Sequence, residues 1–180
     1  ILEAAKYYLY VINKGLMDHR VFSNYGAILA DTGNLNEAEK YIKEAIKLHP
    51  NNSNDHKNLG MILIKKGQLY EAKEATEKAI VLDTSNEKAY LNLGVIFKYM
   101  GQLNEAEIPT RKAIEIKSDF AEAHSNLGNI LREVGKLQEA VLSYRKAIKI
   151  SPHLAKSHFN LGNIFIDLDE YYDAINSYKN

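Results

Sequence analysis

Glycine recurs in this chain with a period of 34 residues, and this period constrains the fold more than any other feature. Two series of glycines keep the period: Gly26, Gly60, Gly94, Gly128 and Gly162, and Gly33, Gly67, Gly101 and Gly135. Alanine follows in step at Ala38, Ala72, Ala106, Ala140 and Ala174. A period of this length indicates a repeat protein, because each unit is one supersecondary element that buries its apolar face only against its neighbours.

Within each unit, the apolar residues predict two helices. Leu93, Ile96 and Phe97 have the i, i+3, i+4 spacing of an amphipathic helix, which places them on one helical face. Gly101 follows and is expected to end this helix, because glycine adopts a left-handed conformation without strain. A second helix then carries Ala113 inward. Each unit is therefore predicted to be a helix–turn–helix hairpin, with about eleven helices and no strands in the chain.

The pattern resembles the tetratricopeptide repeat family over the whole chain. One unit shows it most fully, with Asn126, Leu127, Gly128, Gly135, Leu137, Glu139, Ala140, Tyr144, Ala147 and Pro152 at the family's positions. The resemblance implies an all-α fold, a right-handed superhelical solenoid of stacked hairpins. It also implies a role in binding other proteins.

The register of the resemblance defines the organisation of the chain. With the glycine of the first series at position 8, complete repeats occupy residues 19–52, 53–86, 87–120 and 121–154. Residues 1–18 correspond to the second half of a preceding repeat, and residues 155–180 to a truncated one. We expect residues 1–180 to form a single array, because stacked repeats share one continuous core.

Departures from the family pattern give local predictions. Thr76 and Thr110 replace the large residue of position 24, so their hairpins are expected to pack less tightly. Pro109 lies a few residues inside a second helix, where its missing backbone donor predicts a kink or a late helix start. Asp169 replaces the turn glycine of position 15 and predicts a strained or altered turn.

The composition excludes several classes of function. The chain has 23 basic and 23 acidic residues, which argues against nucleic-acid or membrane-surface binding. No apolar run is long enough to span a bilayer. The sequence contains no cysteine, which excludes disulfides, thiol catalysis and zinc sites with sulfur ligands. The absence of cysteine suits a reducing compartment, so we expect the cytoplasm.

No catalytic or cofactor motif is present in the sequence. The segment from Gly128 to Lys136 differs from a phosphate-binding loop in glycine spacing and in the residue after the lysine. Histidine recurs at position 4 as His56, His124 and His158. The last two could share a metal ion, but Phe22 and Tyr90 occupy the same position elsewhere, so planar side chains filling the seam between helices are expected instead. We therefore predict no catalytic residue, metal or cofactor.

Asparagine stands at position 6 of every repeat, as Asn24, Asn58, Asn92, Asn126 and Asn160. Asparagine is unfavourable inside helices, so the pattern needs a cause. In the family this position faces the concave groove, and the series resembles the groove of the repeat region of O-linked N-acetylglucosamine transferases. Side-chain amides can hold an extended peptide, and Asn129 and Asn163 at position 9 extend the series. The alternative is that the amides bridge neighbouring repeats.

The same groove is predicted to be basic in its middle section. Lys57, Lys65, Lys88 and Lys98 lie on the groove stripe with no acidic residue among them in the two middle repeats. They favour an acidic partner segment, with ordinary solvated helix surface as the alternative. The chaperone-tail clamp of some family members is not expected, because Met61, Glu122 and Asn126 stand where it requires other residues.

These features together predict a non-catalytic scaffold that binds an extended peptide or helix of a partner protein in the groove. The alternative is a substrate-selecting arm of a larger enzyme, such as a glycosyltransferase, whose catalytic domain lies outside this chain. Tyrosines are dense in the first and last helices, at Tyr7, Tyr8, Tyr10, Tyr171, Tyr172 and Tyr178. They predict end-to-end self-association through uncapped ends.

Overall fold

A computed structural model describes residues 2–15 and 17–179, which contain eleven α-helices and no strand. The helices are α1 Leu2–Asn13, α2 His19–Asp31, α3 Leu35–Leu48, α4 Ser53–Lys66, α5 Leu69–Leu82, α6 Glu87–Tyr99, α7 Leu103–Ile116, α8 Ala121–Glu133, α9 Leu137–Ile150, α10 Ala155–Asp167 and α11 Tyr171–Lys179. The all-α architecture predicted from the sequence is confirmed.

The helix boundaries follow the repeat register. From α2 onwards, every first helix begins at position 1 of its repeat and every second helix at position 17. In the repeat at 53–86, the Asn52 side chain accepts hydrogen bonds from the backbone of Asn54 and Asp55 and so caps α4. Gly67 ends the same helix with φ 75°, a conformation that costs glycine nothing.

The chain divides into two compact units, Ile1–Asn92 and Leu93–Asn180, with the division inside α6. Unit 1 contains α1 to α5 and the beginning of α6, and unit 2 contains the rest of α6 and α7 to α11. Each unit has its own buried cluster, and each is described by itself below.

In unit 1, the core lies between the helices of the first hairpins. Its buried residues include Tyr25, Leu29, Ile42 and Ile62. A Cβ atom added at Gly26 would lie 2.8 Å from Ile42 Cγ1, closer than real Cβ atoms approach. The position-8 glycine therefore sets the close approach of α2 and α3 and positions the first helix on which the candidate site lies.

In unit 2, the core cluster is larger and centres on a tyrosine. Tyr144 is fully buried and packs with Leu131, Leu161 and Phe165, among others. Its ring lies against Gly128, where an added Cβ would be 2.7 Å from the ring atom Cε1. The small residue at position 8 thus makes room for an aromatic ring at position 24.

The threonines at position 24 lie buried against the first helix of their hairpins. Thr76 in unit 1 and Thr110 in unit 2 are fully buried. A Cβ atom added at Gly60 or Gly94 would overlap the hydroxyl oxygen of the facing threonine. Each threonine is therefore in direct contact with the glycine of the first helix, and looser packing of these hairpins stays a prediction.

The predictions for Pro109 and Asp169 have different outcomes. The late helix start at Pro109 is wrong, because α7 begins at Leu103 and continues through the buried proline to Ile116. Ala106 and Ala113 are both fully buried on either side of the proline, so packing of the hairpin outweighs the loss of one backbone N–H donor. A kink of α7 at Pro109 stays a prediction. Asp169 has φ 60°, which confirms the strained turn.

Candidate functional site

The candidate site is the face of the first helices that carries positions 2, 5, 6, 9, 12 and 13, called here the first-helix face. In unit 1, Asn24 Nδ2 donates to Tyr8 Oη at 3.2 Å, and Asn92 Nδ2 donates to the backbone oxygen of Lys57 at 3.3 Å. Asn58 is half-buried and makes no hydrogen bond with the described residues through its side chain. The amides of unit 1 are thus only partly used within the fold.

In unit 2, Asn126 Nδ2 donates to the backbone oxygen of Glu122, one turn earlier in α8, at 3.1 Å. Asn160 Nδ2 donates to Asn129 Oδ1 at 2.8 Å. Both asparagines are half-buried. Each position-6 amide of unit 2 therefore donates one hydrogen bond to another group of the protein.

The hydrogen bonds of Asn92 and Asn160 each cross from one first helix to the neighbouring one. This geometry supports the interpretation that the asparagines bridge repeats. The side-chain oxygens of all five position-6 asparagines accept no hydrogen bond from the described part of the chain. Since an amide offers two donors and two acceptor sites, bridging leaves each side chain able to bind a ligand.

The position-9 asparagines have a structural partner that sequence reasoning missed. Tyr144 Oη donates to Asn129 Oδ1 at 2.7 Å, and Tyr178 Oη donates to Asn163 Oδ1 at 2.6 Å. Burial raises the pKa of the Tyr144 phenol well above its ordinary value. A signal was present in the sequence, because the two repeats with tyrosine at position 24 are those with asparagine at position 9. The hydrogen bonds to these tyrosines therefore explain the asparagines at position 9 without a ligand.

Two lysines of unit 1 are unpaired. Lys57 is half-buried and Lys88 is exposed, and neither ammonium forms an ion pair with a described residue. Burial lowers the pKa of Lys57, the positive charge of Lys88 lowers it further, and the negative charges of Glu87 and Asp55 partly oppose this. Since neither ammonium has a described carboxylate at ion-pair distance, the two like charges create a local positive potential that an anionic group would neutralise.

The other two lysines of the predicted basic section already have partners. In unit 1, Lys65 Nζ donates to the backbone oxygen of Ala30 at 2.9 Å and lies 4.0 Å from Asp31 Oδ1. In unit 2, Lys98 Nζ lies 2.9 Å from Glu133 Oε1. Ion pairing reduces the charge that these lysines present to a ligand. The four lysines that the sequence grouped together are therefore not equivalent.

The position-4 histidines hold the loops between repeats. The Nε2 atoms of His56, His124 and His158 lie 2.8, 3.0 and 2.9 Å from the backbone oxygens of the residues six positions earlier. Within residues 2–15 and 17–179, no group of three or more histidine, cysteine or acidic side chains could hold a metal ion.

A buried polar pair in unit 1 was not anticipated from the sequence. Asp55 is 1% exposed, and Ser23 donates a hydrogen bond from its hydroxyl to Asp55 Oδ1. The equivalent positions in unit 2 hold Ser125 and Ser157, whose hydroxyls are 3.0 Å apart. Position 5 of one first helix, which belongs to the first-helix face, therefore contacts position 3 of the next first helix in both units, and this contact fixes the spacing of the helices.

The stacked hairpins and their periodic polar face define a helical repeat protein. Sequence models of the tetratricopeptide repeat match residues 19–52, 41–74 and 87–120, and a further model of the TPR repeat matches residues 128–169. The chain is built from tetratricopeptide repeats. Proteins of this kind generally mediate protein–protein interactions.

Solved structures share the fold. MamA superposes with a TM-score of 0.72 at 25% identity, over 86% of this chain and 90% of that chain. YrrB, a TPR protein described as having an unusual peptide-binding site, gives 0.68 at 21% identity, over 96% and 89%. The APC/C hetero-tetramer Cut9–Hcn1 gives 0.91 at 17% identity, over 97% of this chain and 35% of that chain.

No curated protein sequence matches the chain significantly. Neither the repeat models nor these three structures support the alternative of a substrate-selecting arm of an enzyme. Among the described helices, none is long and apolar enough to cross a membrane. The cytoplasmic location stays a prediction.

Proposed function

We propose that this chain is a non-catalytic scaffold whose first-helix face binds an extended peptide or helix of a partner protein. The observation that carries the proposal is the series of five position-6 asparagines whose side-chain oxygens accept no hydrogen bond within the described protein. These oxygens are available to the N–H groups of a bound backbone, a contact that does not depend on the partner's side chains. The peptide-binding site of YrrB, which has the same fold, supports this function.

The proposed site consists of the groove residues predicted from the sequence: Asn24, Asn58, Asn92, Asn126, Asn160, Asn129, Asn163, Lys57, Lys65, Lys88 and Lys98. The position-6 residues supply the amide contacts in the manner inferred from the transferase-like groove. Asn129 and Asn163 contribute mainly by fixing their neighbours, because their oxygens already accept from tyrosines.

The partner segment that lies against unit 1 is acidic. Lys57 and Lys88 are the two lysines of the site without an ion pair among the described residues, and Lys57 is half-buried. A half-buried charge without a partner is costly, and a carboxylate from the ligand would offset that cost. Lys65 and Lys98 contribute less to this preference, because they already form ion pairs with Asp31 and Glu133.

Selection from a library of random 12-residue peptides, followed by fluorescence anisotropy with the best binder, tests the proposal. The test variant carries Asn58→Ala, Asn92→Ala and Asn126→Ala. The matched control carries Asn36→Ala and Asn104→Ala, two exposed asparagines on second helices. Each lost hydrogen bond is worth about 1 kcal/mol, so the test variant should bind at least about tenfold more weakly.

The control variant should bind like the unchanged protein, and circular dichroism should show that both variants remain folded. Equal affinity for the unchanged protein and the folded test variant would refute the role of the amides. The acidic preference is tested separately with Lys57→Met and Lys88→Met. This double change should reduce binding of acidic peptides more than binding of neutral ones.

A further inference from the structure

A groove lies between the second helices α7 and α9 of unit 2, called here the second-helix groove. It encloses about 430 Å³, a size typical of ligand sites. Ile114 of α7, Leu142 of α9 and the buried Leu127 of α8 form its apolar lining. None of the three occupies a position of the first-helix face. We propose that this groove is a separate binding site, which takes an acidic segment of a partner protein that carries a large apolar side chain.

The stacking of the repeats does not require the exposed leucine of this groove. Leu142 is 64% exposed although the next hairpin, α10–α11, is in place. Position 22, where it stands, also carries the exposed Ile108 but holds Lys40, Glu74 and Asn176 in the other repeats. Because hairpins with a polar residue at this position fold in the same way, packing gives no reason for the leucine. An exposed apolar side chain that extends the lining of a groove instead indicates contact with a ligand.

The acidic side chains beside the second-helix groove already have partners. Glu107 and Glu139 both pair with Arg111, at 2.7 and 3.2 Å. Glu115, which lines the groove, pairs with Lys112 at 2.8 Å. These carboxylates are therefore not available to balance a further positive charge.

Two lysines of α9 supply such a charge. Lys146 lines the groove four residues after Leu142, and Lys149 follows three residues later. Both lysines are exposed, and neither forms an ion pair with a described residue. Since residues three and four apart share one face of a helix, a single ligand segment can contact the leucine and both lysines. Carboxylates next to an apolar anchor are the chemistry that complements this face.

The equivalent groove of unit 1 has the same size but different chemistry. It also encloses about 430 Å³, and Leu59 lies in it at the position of Leu127. Glu74 replaces Leu142 in its lining, and Glu71 adds a second acidic side chain. Of the two grooves, only the second-helix groove of unit 2 therefore combines an exposed leucine with an excess of positive charge. The groove of unit 1 offers a matched control.

Selection of random 12-residue peptides, in parallel on the unchanged chain and on the triple-alanine variant of the position-6 asparagines, tests the proposal. Peptides that carry a large apolar residue with acidic residues within four positions should be enriched on both proteins. Fluorescence anisotropy then compares a Leu142→Ser, Lys146→Ala variant with a control that carries Glu74→Ser and Lys78→Ala in the groove of unit 1. All four residues are exposed, so both variants should stay folded by circular dichroism.

The Leu142→Ser, Lys146→Ala variant should bind these peptides at least about tenfold more weakly, because it loses both the apolar and the charged contact. The control should bind like the unchanged chain. A Lys146→Glu, Lys149→Glu variant should disfavour acidic peptides and leave neutral ones with the same apolar residue little affected, because only the charge contact is reversed.

Three outcomes would overturn the site. The groove fails if no peptide of this pattern is enriched on both proteins, or if equal charge-reversed and unchanged affinities show that acidic residues are not recognised. It also fails if every enriched peptide loses affinity through the position-6 asparagines and none through Leu142, in which case the proposed function stands alone. If Leu142→Ser abolishes concentration-dependent self-association in sedimentation and leaves peptide binding unchanged, a second copy of this chain is the occupant instead.

Discussion

Asn129→Ala tests the structural role that the fold gives to a residue of the candidate site. Tyr144 is fully buried, and its hydroxyl donates to Asn129 Oδ1 at 2.7 Å. Asn160 donates to the same oxygen at 2.8 Å. The substitution removes the acceptor of both groups, so the buried tyrosine hydroxyl loses the group to which it donates.

The expected cost follows from burial. A buried hydroxyl that lacks an acceptor costs about 1–3 kcal/mol of folding free energy. The half-buried Asn160 amide can instead donate to water, so its lost hydrogen bond adds little to this cost. Asn163→Ala is the matched comparison, because Tyr178 makes the same bond at 2.6 Å but is 42% exposed. Water can replace the lost acceptor there, so the expected cost is below about 1 kcal/mol.

Urea unfolding followed by circular dichroism measures both changes. A double-mutant cycle with Tyr144→Phe then isolates the bond, because phenylalanine removes the hydroxyl and should recover most of the loss caused by Asn129→Ala. The structural role is refuted if Asn129→Ala costs no more than Asn163→Ala, or if its full cost persists in the Tyr144→Phe background.

Three further predictions concern stability and association. Hydrogen bonds from Lys43 and Lys66 lower the pKa of Glu39 in the folded protein. The Glu39 carboxylate therefore stabilises the fold fully at pH values above its ordinary pKa of 4.5. This stabilisation is lost as the pH falls through the lowered pKa of the folded state. Glu39→Gln should therefore flatten the acid decline of the urea midpoint, and an unchanged decline would contradict this. Gly128→Ala should destabilise by about 1–3 kcal/mol through overpacking against the Tyr144 ring; an unchanged urea midpoint would show that the ring can move. The exposed tyrosines of α1 and α11 predict self-association at high concentration, and a sedimentation coefficient independent of concentration would exclude it.

The helix register was predictable because it depends on local signals that repeat. The spacing of glycines and apolar residues gives the first helix, the turn and the second helix within each 34-residue unit. The turn at Asp169 was predictable for the same reason, since the register marks position 15 as left-handed. The start of α7 was wrongly predicted from Pro109, because packing of the flanking alanines outweighs the effect of the proline there.

The composition of the candidate site was predictable, but its internal pairing was not. The pairs Lys98–Glu133 and Arg132–Asp167 join residues 35 apart in sequence, which only the stacking of one repeat on the next brings together. Asn129 and Tyr144 meet instead through the folding of one hairpin, because they lie on its two helices. The position of a residue within its repeat predicts the helix face on which it lies. Tertiary contacts then decide which side chains remain available to a ligand.

An NMR titration that follows the side-chain amide signals of the asparagines, while a library-selected peptide is added, tests the proposed binding face most directly. We expect shifts for Asn58, Asn92 and Asn160 on the first-helix face and none for Asn36 and Asn104 on second helices. Shifts confined to the second-helix asparagines, or binding with no asparagine signal affected, would contradict the proposal that this face binds the peptide.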